Sequence, residues 1–407
     1  MISNLYPPHA IGGYEERCRQ IIDLLRGRGH EVRVLTSTHV VGRETREGHV
    51  HRRLRIHGFF GHPWLGILRL YGLEKHNHAV LREELVEFRP DVVHVWNLGG
   101  LSKTLMVTLK ESLVPVVYDV SDHWIARSLR ADVWLKWWNG DAGGVSARIV
   151  RILLRATGLA RIIMRQAPVL PWSELHFDRI YFCSDALKQL TLAKGWSLAH
   201  AAVIFCGVET VKFTHRPSND RFARLLWVGR LNEDKDPLTA IRALDQLAAR
   251  GNTTLTLDLY GRGDEAYVQM LRQTAAELGV EERVNFRSAN ADEMKRVYAD
   301  YDALLFTSAW AEPFALTPLE AMAAHLPVVS TLEGGSAELI RHGENALAYS
   351  VGDATDLATQ VQRLEADPAL RRRLAVTAEA EVATRFDLGV IMTQIETYLR
   401  ESVNRHG

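Results

Sequence analysis

The sequence has few of the features that mark several large classes of protein. Its three cysteines, Cys18, Cys183 and Cys206, are an odd number and lie far apart, which predicts buried thiols in a reducing compartment. No run approaches the roughly 18 consecutive apolar residues of a membrane span. The 49 basic residues balance 49 acidic ones, so net charge gives no reason to expect nucleic acid as a partner. Together these absences predict a soluble cytoplasmic protein.

Two further patterns are missing near the amino terminus. There is no charged-then-apolar secretory leader, and no Gly-x-Gly-x-x-Gly follows the first strand, which argues against an NAD-dependent dehydrogenase. The opening "MISNLYPPHAIGGYEE" passes from two apolar residues straight into a loop. The first strand is therefore expected to be very short, either because the native start lies upstream or because the chain was trimmed.

Strand-like and helix-like segments alternate along the rest of the chain. Apolar, β-branched runs typical of parallel sheets recur with helical stretches between them, at residues 31–37, 91–97, 114–120, 179–184, 201–209, 223–230, 254–265, 283–288, 302–308 and 326–331. The polar segment 207–222 interrupts this pattern. We therefore predict an α/β protein with two tandem Rossmann-like, doubly wound parallel-sheet domains, residues 1–208 and 209–386, facing a central cleft.

One segment of the predicted first domain, residues about 124–178, is an irregular insertion rich in basic and aromatic residues. Arg148, Arg151 and Arg155 share a helical face beside apolar residues 149 and 152–154. Two interpretations are open. The arginines form the solvated face of a helix packed on the core, or a basic amphipathic helix lies on an anionic membrane surface. The second would make the cytoplasmic protein membrane-associated.

The stretch "EPFALTPLEAM" holds two carboxylates eight positions apart, Glu312 and Glu320. It follows a predicted strand, and a helix is expected to start near Leu316. The backbone N–H groups of Phe314, Ala315 and Leu316 would then form an anion site suited to phosphate oxygens. Carboxylates accept hydrogen bonds from sugar hydroxyls. The stretch therefore predicts a site for a sugar nucleotide.

Cations follow one predicted strand and paired glycines follow another. Arg230 comes just after one strand and Lys235 five residues later, a combination suited to a diphosphate. After another strand, Gly334 and Gly335 would let the backbone approach a ligand closely, with Glu338 beside them. Each signal is weak alone, but all fall where strands end, the usual ligand-binding edge of such sheets.

These residues resemble the motifs of the GT-B-fold retaining glycosyltransferases of family 4, which include many polysaccharide-building enzymes. The resemblance is strongest over residues 227–338, where "EPFALTPLEAM" is similar to the family's Glu-x7-Glu pattern. It implies that Glu312 contacts the donor sugar's hydroxyls and Glu320 the ribose. Arg230 and Lys235 would hold the diphosphate and stabilise its departure.

The resemblance has further implications outside this stretch. The loop at Gly12 and Gly13 would close on the phosphates from the first domain. The last helix, within residues 387–407, would cross back onto the N-terminal domain. No cofactor and no metal are expected, which agrees with the lack of a convincing third ligand near the paired histidines at 49/51 and 76/78.

The chain departs from the family pattern at several positions. Ala315 and Ala346 stand where glycine is common. His325 occupies another glycine position, where it must accept a positive φ or change the turn. In "DVSDHW", Ser121 stands where many relatives carry histidine. Front-face substitution can still proceed, because the leaving phosphate can take the acceptor proton while the protein positions and stabilises.

Candidate acceptor-side residues lie in the first half. Asp122 would orient the acceptor or stabilise positive charge on the sugar, or would instead cap a helix formed by "HWIARSL". His123, His94 and Trp96 are expected on the same side, with core packing as the alternative for His94. The first half also carries most of the tryptophans, which favours a saccharide or lipid-linked acceptor.

The predicted function is therefore transfer of a hexose-type sugar from a nucleoside diphosphate sugar to such an acceptor, in cell-surface polysaccharide or glycolipid synthesis. Two alternatives remain. An epimerase of GT-B architecture would show several acid/base groups converging on the sugar's own carbon. A non-catalytic sugar-nucleotide-binding protein would be signalled by loss of Arg230, Lys235 or Glu312, and all three are present.

Overall fold

The computed structural model describes residues 1–9, 13–57, 66–127, 131–141, 144–215 and 221–404. The chain divides into two compact units. The first comprises Met1–Cys183, Lys188–Ile204 and the residues from Gln394 onward, and the second comprises Ser184–Leu187 and Phe205–Thr393. The change from first to second unit thus comes at 204/205, close to the boundary predicted after residue 208.

The first unit is built on an eight-stranded sheet in the order β3-β4-β2-β1-β5-β6-β7-β8. The strands are β1 Ile2–Ser3, β2 Val34–Ser37, β3 Thr45–Glu47, β4 Val50–Leu54, β5 Val93–Asn97, β6 Val116–Val120, β7 Ile180–Phe182 and β8 Ala202–Val203. All pair in parallel except the edge strand β3, which is antiparallel to β4. The prediction missed this β3–β4 pair because its sequence, "TREGHVHRRL", is too polar to read as a parallel-sheet strand.

Helices connect these strands. They are α1 Gly13–Gly27, α2 Ile67–Phe88, α3 Leu105–Glu111, α4 Val133–Asn139, α5 Gly144–Ala156, α6 Leu159–Gln166 and α7 Asp185–Ala193. The segment predicted as an irregular insertion contains α4, α5 and α6 and is thus largely helical. Its core holds three buried tryptophans, Trp134, Trp137 and Trp138, which pack with Leu70 of α2.

The sequence placed Arg151 on an outward basic face, and this was wrong. Arg151 is buried, and its guanidinium donates to the Trp137 carbonyl oxygen at 2.5 Å. The same group lies 5.4 Å from the centre of the Trp137 ring, which allows a cation–π contact. Its charge is therefore satisfied inside the α4–α5 packing.

The second unit has a six-stranded, entirely parallel sheet in the order β11-β10-β9-β12-β13-β14. Its strands are β9 Arg224–Val228, β10 Thr256–Tyr260, β11 Val284–Arg287, β12 Ala303–Phe306, β13 Val328–Ser330 and β14 Leu347–Ala348. From β9 the strands follow one another in chain order toward one edge of the sheet, and from β12 they do so toward the other edge. A crevice therefore opens at the carboxyl ends of β9 and β12, where doubly wound sheets bind ligands.

Two helices of the second unit begin where the sequence predicts. The helices of this unit are α8 Pro237–Ala249, α9 Glu265–Glu277, α10 Ala291–Val297, α11 Leu316–Ala323, α12 Ala354–Ala366 and α13 Pro368–Glu381, followed by a π-helical turn at Val382–Phe386. Asp236 is the N-cap of α8, accepting from the Thr239 N–H at 3.1 Å, and Pro237 is its first residue. Both predictions are confirmed, as is the start of α11 at Leu316.

The last helix, α14 Leu388–Asn404, contributes to both units. Its part from Gln394 onward belongs to the first unit, where the Tyr398 hydroxyl donates to the Ile180 carbonyl at 3.0 Å and Arg179 donates to Ser402 at 3.1 Å. Within the described ranges, no helix combines the length and apolar character needed to cross a membrane.

A buried ion pair joins α1 to β6 in the first unit. Arg17 lies 2.9 Å from Asp119, and both side chains are almost completely buried. Arg17 also donates to Ser121 at 2.8 Å. Because a buried charge is costly without its partner, this pair makes the position of α1 on the sheet specific.

We predict that Arg17→Met lowers the unfolding free energy by about 3–5 kcal/mol, because it leaves the Asp119 carboxylate buried without its cation. Arg19→Met is the matched control on the same helix, since Arg19 pairs with Glu16 and Asp23 in solvent and should cost below about 1 kcal/mol. Urea unfolding measures both. Equal losses of unfolding free energy in the two variants would contradict the stabilising role of the Arg17–Asp119 pair.

Candidate functional site

Three loops of the second unit meet at the carboxyl edge of its sheet. They follow β9, β12 and β13, which are neighbours in the sheet and run in parallel. These loops carry Arg230 and Lys235, then Glu312, then Gly334. The structure thus places side by side the three sequence signals that were each weak alone.

The centre of this edge is an ion pair between Lys235 and Glu312. The Lys235 ammonium is hydrogen-bonded to Oε1 of Glu312, and the lysine side chain is 29% exposed while the glutamate is 10% exposed. The Ser308 hydroxyl donates to the same Oε1 at 2.7 Å. The ammonium has two further N–H donors and Glu312 has a second oxygen, so the pair can bind a phosphate and a hydroxyl together.

Hydrogen bonds between the loops hold this pair in place. Thr307 donates to the Lys235 carbonyl at 2.8 Å, and the Ala309 N–H donates to the Asp234 carbonyl at 3.0 Å. Thr307 in turn accepts from the indole of the buried Trp227 at 2.8 Å. The lysine therefore sits on a loop that is tied to the neighbouring strand end.

The other predicted donor-site residues lie close in sequence to this pair. Arg230 is exposed, two residues after the end of β9. Ala315 is the N-cap of α11 and Leu316 its first residue, so their N–H groups have no acceptor within the helix. The Phe314 ring is buried, with its centre 5.6 Å from that of Phe205 and 5.8 Å from that of Phe386. With its ring buried, Phe314 could bind an anion only through its backbone N–H, and that role stays a prediction.

Glu320 has a different environment from Glu312. Its carboxylate accepts from the hydroxyl of the fully buried Tyr298 at 2.7 Å. Burial raises the pKa of Glu320, while the Tyr298 hydrogen bond and the charge of Lys295 oppose that rise. One oxygen is thus anchored and the other stays available as an acceptor.

The paired glycines serve the protein's own backbone. Gly334 has φ +62°, and a Cβ there would lie 2.4 Å from the Glu312 carbonyl oxygen. A Cβ on Gly335 would lie 2.4 Å from the Pro313 carbonyl oxygen. These glycines therefore allow the loop after β13 to pack on the loop that carries Glu312, and their role in approaching a ligand stays a prediction.

Glu338 also has a structural partner. Its carboxylate accepts from the backbone N–H groups of Asp185 at 3.0 Å and Ala186 at 2.8 Å, at the start of α7. It therefore caps that helix. Of the other predicted phosphate-loop residues, Gly13 begins α1, whereas Gly12 lies outside the described residues.

In the first unit, Asp122 follows β6 at the carboxyl edge of the sheet. It accepts from Asn97 at 2.6 Å and from the Trp124 N–H at 2.7 Å. Burial raises its pKa from 3.8 to about 6, against the effect of these two hydrogen bonds. The helix that it was predicted to cap is absent over 123–127, where the chain forms turns, so Asp122 holds a turn and a neighbouring amide.

Asn97 links this carboxylate to the end of β1. Its side-chain oxygen accepts from the Gly99 N–H at 2.6 Å, and Asn4 donates to the Gly99 carbonyl at 3.0 Å. Since β1 and β5 are the central neighbours of this sheet, the cluster lies at its own point of strand reversal.

The structure confirms the core-packing alternative for His94, whereas Trp96, which was predicted on the acceptor side, also lies in the core. Both are buried on β5, and His94 Nδ1 accepts from the Trp96 indole at 3.2 Å. His94 Nε2 meets the Tyr181 hydroxyl at 2.9 Å. Burial lowers the pKa of His94 to about 3. Residues 94 and 96 point to the same face of a central strand. Because both faces of such a strand are covered, both side chains enter the core.

Two other predicted residues are placed as follows. His123 is half-buried within the turn that follows Asp122. His325 adopts φ +61°, one of the two outcomes expected for histidine at a glycine position, and its Nδ1 lies 2.7 Å from Glu379. No group of three metal-ligating side chains occurs among the residues that the structure describes.

Sequence reasoning missed three residues of these clusters. Ser308, Tyr298 and Asn97 each hold a carboxylate by one hydrogen bond. Ser308 and Asn97 stand at strand ends, and that position was an available signal. Tyr298 comes from the short helical turn before β12, and its reach to Glu320 depends on tertiary packing.

Family models and curated relatives match along the chain. The models described as "Glycosyltransferase Family 4" and "Glycosyl transferases group 1" match residues 11–212 and 209–381. The chain is 27% identical to a glycogen synthase of Mycobacterium tuberculosis, over 97% of this chain and 92% of that protein. It is 33% identical to the lipopolysaccharide core biosynthesis glycosyltransferase LpsE of Rhizobium meliloti, over 39% of this chain and 44% of that protein.

Solved structures share the fold across almost all of the chain. HepE of Anabaena in complex with UDP-glucose aligns with a TM-score of 0.67 at 21% identity, over 98% of both chains. Sucrose-phosphate synthase of Thermosynechococcus elongatus aligns with a TM-score of 0.71 at 18% identity, over 99% of this chain and 98% of that one. Two parallel-sheet units with these neighbours define the GT-B architecture. The chain belongs to the group 1 glycosyltransferases, family 4, and is a glycosyltransferase.

We predict that the unfolding free energy of the wild type falls relative to that of the Asp122→Asn variant as pH rises from about 4 to about 7. The difference between the two proteins should change by on the order of 2 kcal/mol. The folded-state pKa of Asp122 lies above the unfolded value, so the folded protein binds its proton more tightly, and that stabilisation is lost as pH rises through about 6. Urea unfolding across this range measures the difference. A difference that does not change with pH would contradict the raised pKa.

Proposed function

We propose that the protein is a retaining glycosyltransferase that moves a hexose-type sugar from a nucleoside diphosphate sugar to a saccharide or lipid-linked acceptor. The observation that carries the proposal is the Lys235–Glu312 pair at the strand-reversal point of the second sheet. A cation for phosphate and a carboxylate for hydroxyls, held in contact, match the two halves of a sugar diphosphate.

In this proposal the donor's diphosphate lies on Lys235, Arg230 and the first N–H groups of α11. Lys235 supplies a point charge and Arg230 a planar fork of donors, which together neutralise the charge that develops as the diphosphate leaves. Glu312 accepts from the hydroxyls of the sugar. Glu320 accepts from the ribose, with Tyr298 fixing its other oxygen.

The proposed reaction balances without a cofactor or a metal. The bond between the anomeric carbon and the phosphate oxygen breaks, and the acceptor oxygen bonds to the same face of that carbon. The acceptor proton passes to the departing phosphate, so no strong protein base is needed. Asp122, whose pKa lies near 6, would orient the acceptor hydroxyl at the edge of the first sheet.

Relatives and neighbours support the donor class. HepE of Anabaena binds UDP-glucose, and the sequence relatives include a glycogen synthase and a lipopolysaccharide core glycosyltransferase. We propose in addition that the protein acts in cell-surface polysaccharide or glycolipid synthesis, in the cytoplasm.

The donor class is tested by thermal unfolding against UDP, GDP, ADP, TDP and CDP, with and without magnesium. A ligand at about 100 times its Kd adds about 2.7 kcal/mol of stability. We expect one nucleotide to raise the Tm without magnesium. A shift that needs magnesium would contradict metal independence, and no shift with any nucleotide would contradict the donor site.

The residue roles are tested with Lys235→Met and Glu312→Gln. Lys235→Met should weaken nucleotide binding by about 10–100-fold, because it removes a charge-assisted hydrogen bond to phosphate. Glu312→Gln should abolish most transfer yet retain measurable nucleotide binding. Titration calorimetry and product analysis measure the two effects.

The matched controls are Lys212→Met and Glu209→Gln. These residues form an ion pair in the same unit, at 2.7 Å, on the short helical turn before β9 and not on the loops after β9, β12 and β13. Both control variants should bind nucleotide and turn over like the wild type. Normal turnover by Lys235→Met or Glu312→Gln would overturn the proposed roles of these two residues.

A further inference from the structure

Helix α5 carries an apolar stripe that faces solvent. Val145, Ile149, Ile152 and Leu153 are 76%, 52%, 57% and 57% exposed. Their spacing of i, i+4, i+7 and i+8 places them on one side of the helix. Scattered exposed apolar residues are ordinary, but a continuous stripe along one helix marks an interaction surface.

The stripe is not the side by which α5 packs on the rest of the protein. The opposite side of α5 already packs inward through Ala147, Arg151 and Leu154 against the cluster of Trp137 and its neighbours. Arg151 is anchored there on the Trp137 carbonyl oxygen. The helix thus has one satisfied face and a second apolar face that the fold leaves in solvent.

The charge around the stripe has a single sign. Residues 142–173 include five arginines and neither aspartate nor glutamate. Four of these arginines, all except Arg151, are exposed, and in the described part of the chain none has a carboxylate partner: Arg148, Arg155, Arg161 and Arg165. Helix α6, which packs on α5, adds two more exposed apolar side chains, Leu159 at 48% and Ile162 at 58%.

We propose that α5 and α6 form a docking surface for an anionic membrane, with the apolar stripe entering the headgroup region and the arginines binding lipid phosphates. Apolar residues beside unpaired arginines are the pattern of helices that lie in a membrane interface. A second copy of the chain fits less well, because a two-fold contact would bring the same arginines together. A membrane surface fits the lipid-linked acceptor of the proposed function, and that link rests on the proposed function. Membrane binding itself can be measured whether or not the protein transfers a sugar.

The test is flotation of the purified protein with vesicles of phosphatidylcholine alone or mixed with phosphatidylglycerol. We expect the wild type to float with the mixed vesicles only, and less so as salt rises. Arg148→Gln with Arg155→Gln should lower the partition coefficient about 25-fold, since each arginine near an anionic surface contributes about fivefold. Ile149→Ser with Ile152→Ser should lower it by at least about tenfold.

The matched control is Arg373→Gln with Val376→Ser on α13. Val376 is 57% exposed, like Ile152, and Arg373 is exposed on the same helix. This variant should float like the wild type. Because every changed residue is exposed, each variant should keep its Tm, and that measurement separates lost docking from lost folding.

Three results would overturn the docking surface. They are equal flotation with both kinds of vesicle, undiminished flotation of both α5 variants, and light scattering that shows a dimer converted to a monomer by Ile149→Ser with Ile152→Ser. Nucleotide-induced Tm shifts are measured on the same samples. Failed flotation with a normal nucleotide shift would refute the surface alone, whereas flotation without any nucleotide shift would refute the donor site alone.

Discussion

The parallel pairing of β9 with β12 is the constraint on which the second unit depends. Leu225 pairs with Ala303 and Leu226 with Leu304, so the two strands end at the same edge. The remaining strands extend away from this pair on both sides, which leaves a crevice at that edge. Lys235 comes from one loop and Glu312 from the other, and their contact therefore follows directly from the strand order.

Three carboxylates show how local surroundings separate chemically identical groups. Glu312 accepts hydrogen bonds from an ammonium and a hydroxyl group, and Glu320 accepts one from a phenol. Asp122 accepts from a side-chain amide and a backbone N–H. Only Glu312 contacts a cation directly. Burial raises the pKa of both Glu320 and Asp122, and that of Asp122 reaches about 6.

The sequence predicts what depends on local pattern and fails where tertiary packing decides. Apolar runs located most strands, and Asp236 with Pro237 located the start of α8, because capping and strand burial are read within a few residues. The residues of the proposed donor site could be singled out in the sequence because they follow strand ends. The sequence left the burial of His94 open and misplaced Arg151, because burial at both positions depends on partners outside the local pattern, Tyr181 for His94 and Trp137 for Arg151. The role of Gly334 and Gly335 likewise depends on which backbone they meet.

The most direct measurement is a crystal structure of the protein with the nucleoside diphosphate that raises its Tm. We predict that the diphosphate lies at the carboxyl edge of the second sheet, in contact with Lys235 and the first N–H groups of α11, and that Glu312 keeps an oxygen free for a sugar. A nucleotide bound elsewhere, with the Lys235–Glu312 pair unchanged and solvent-filled, would contradict this prediction.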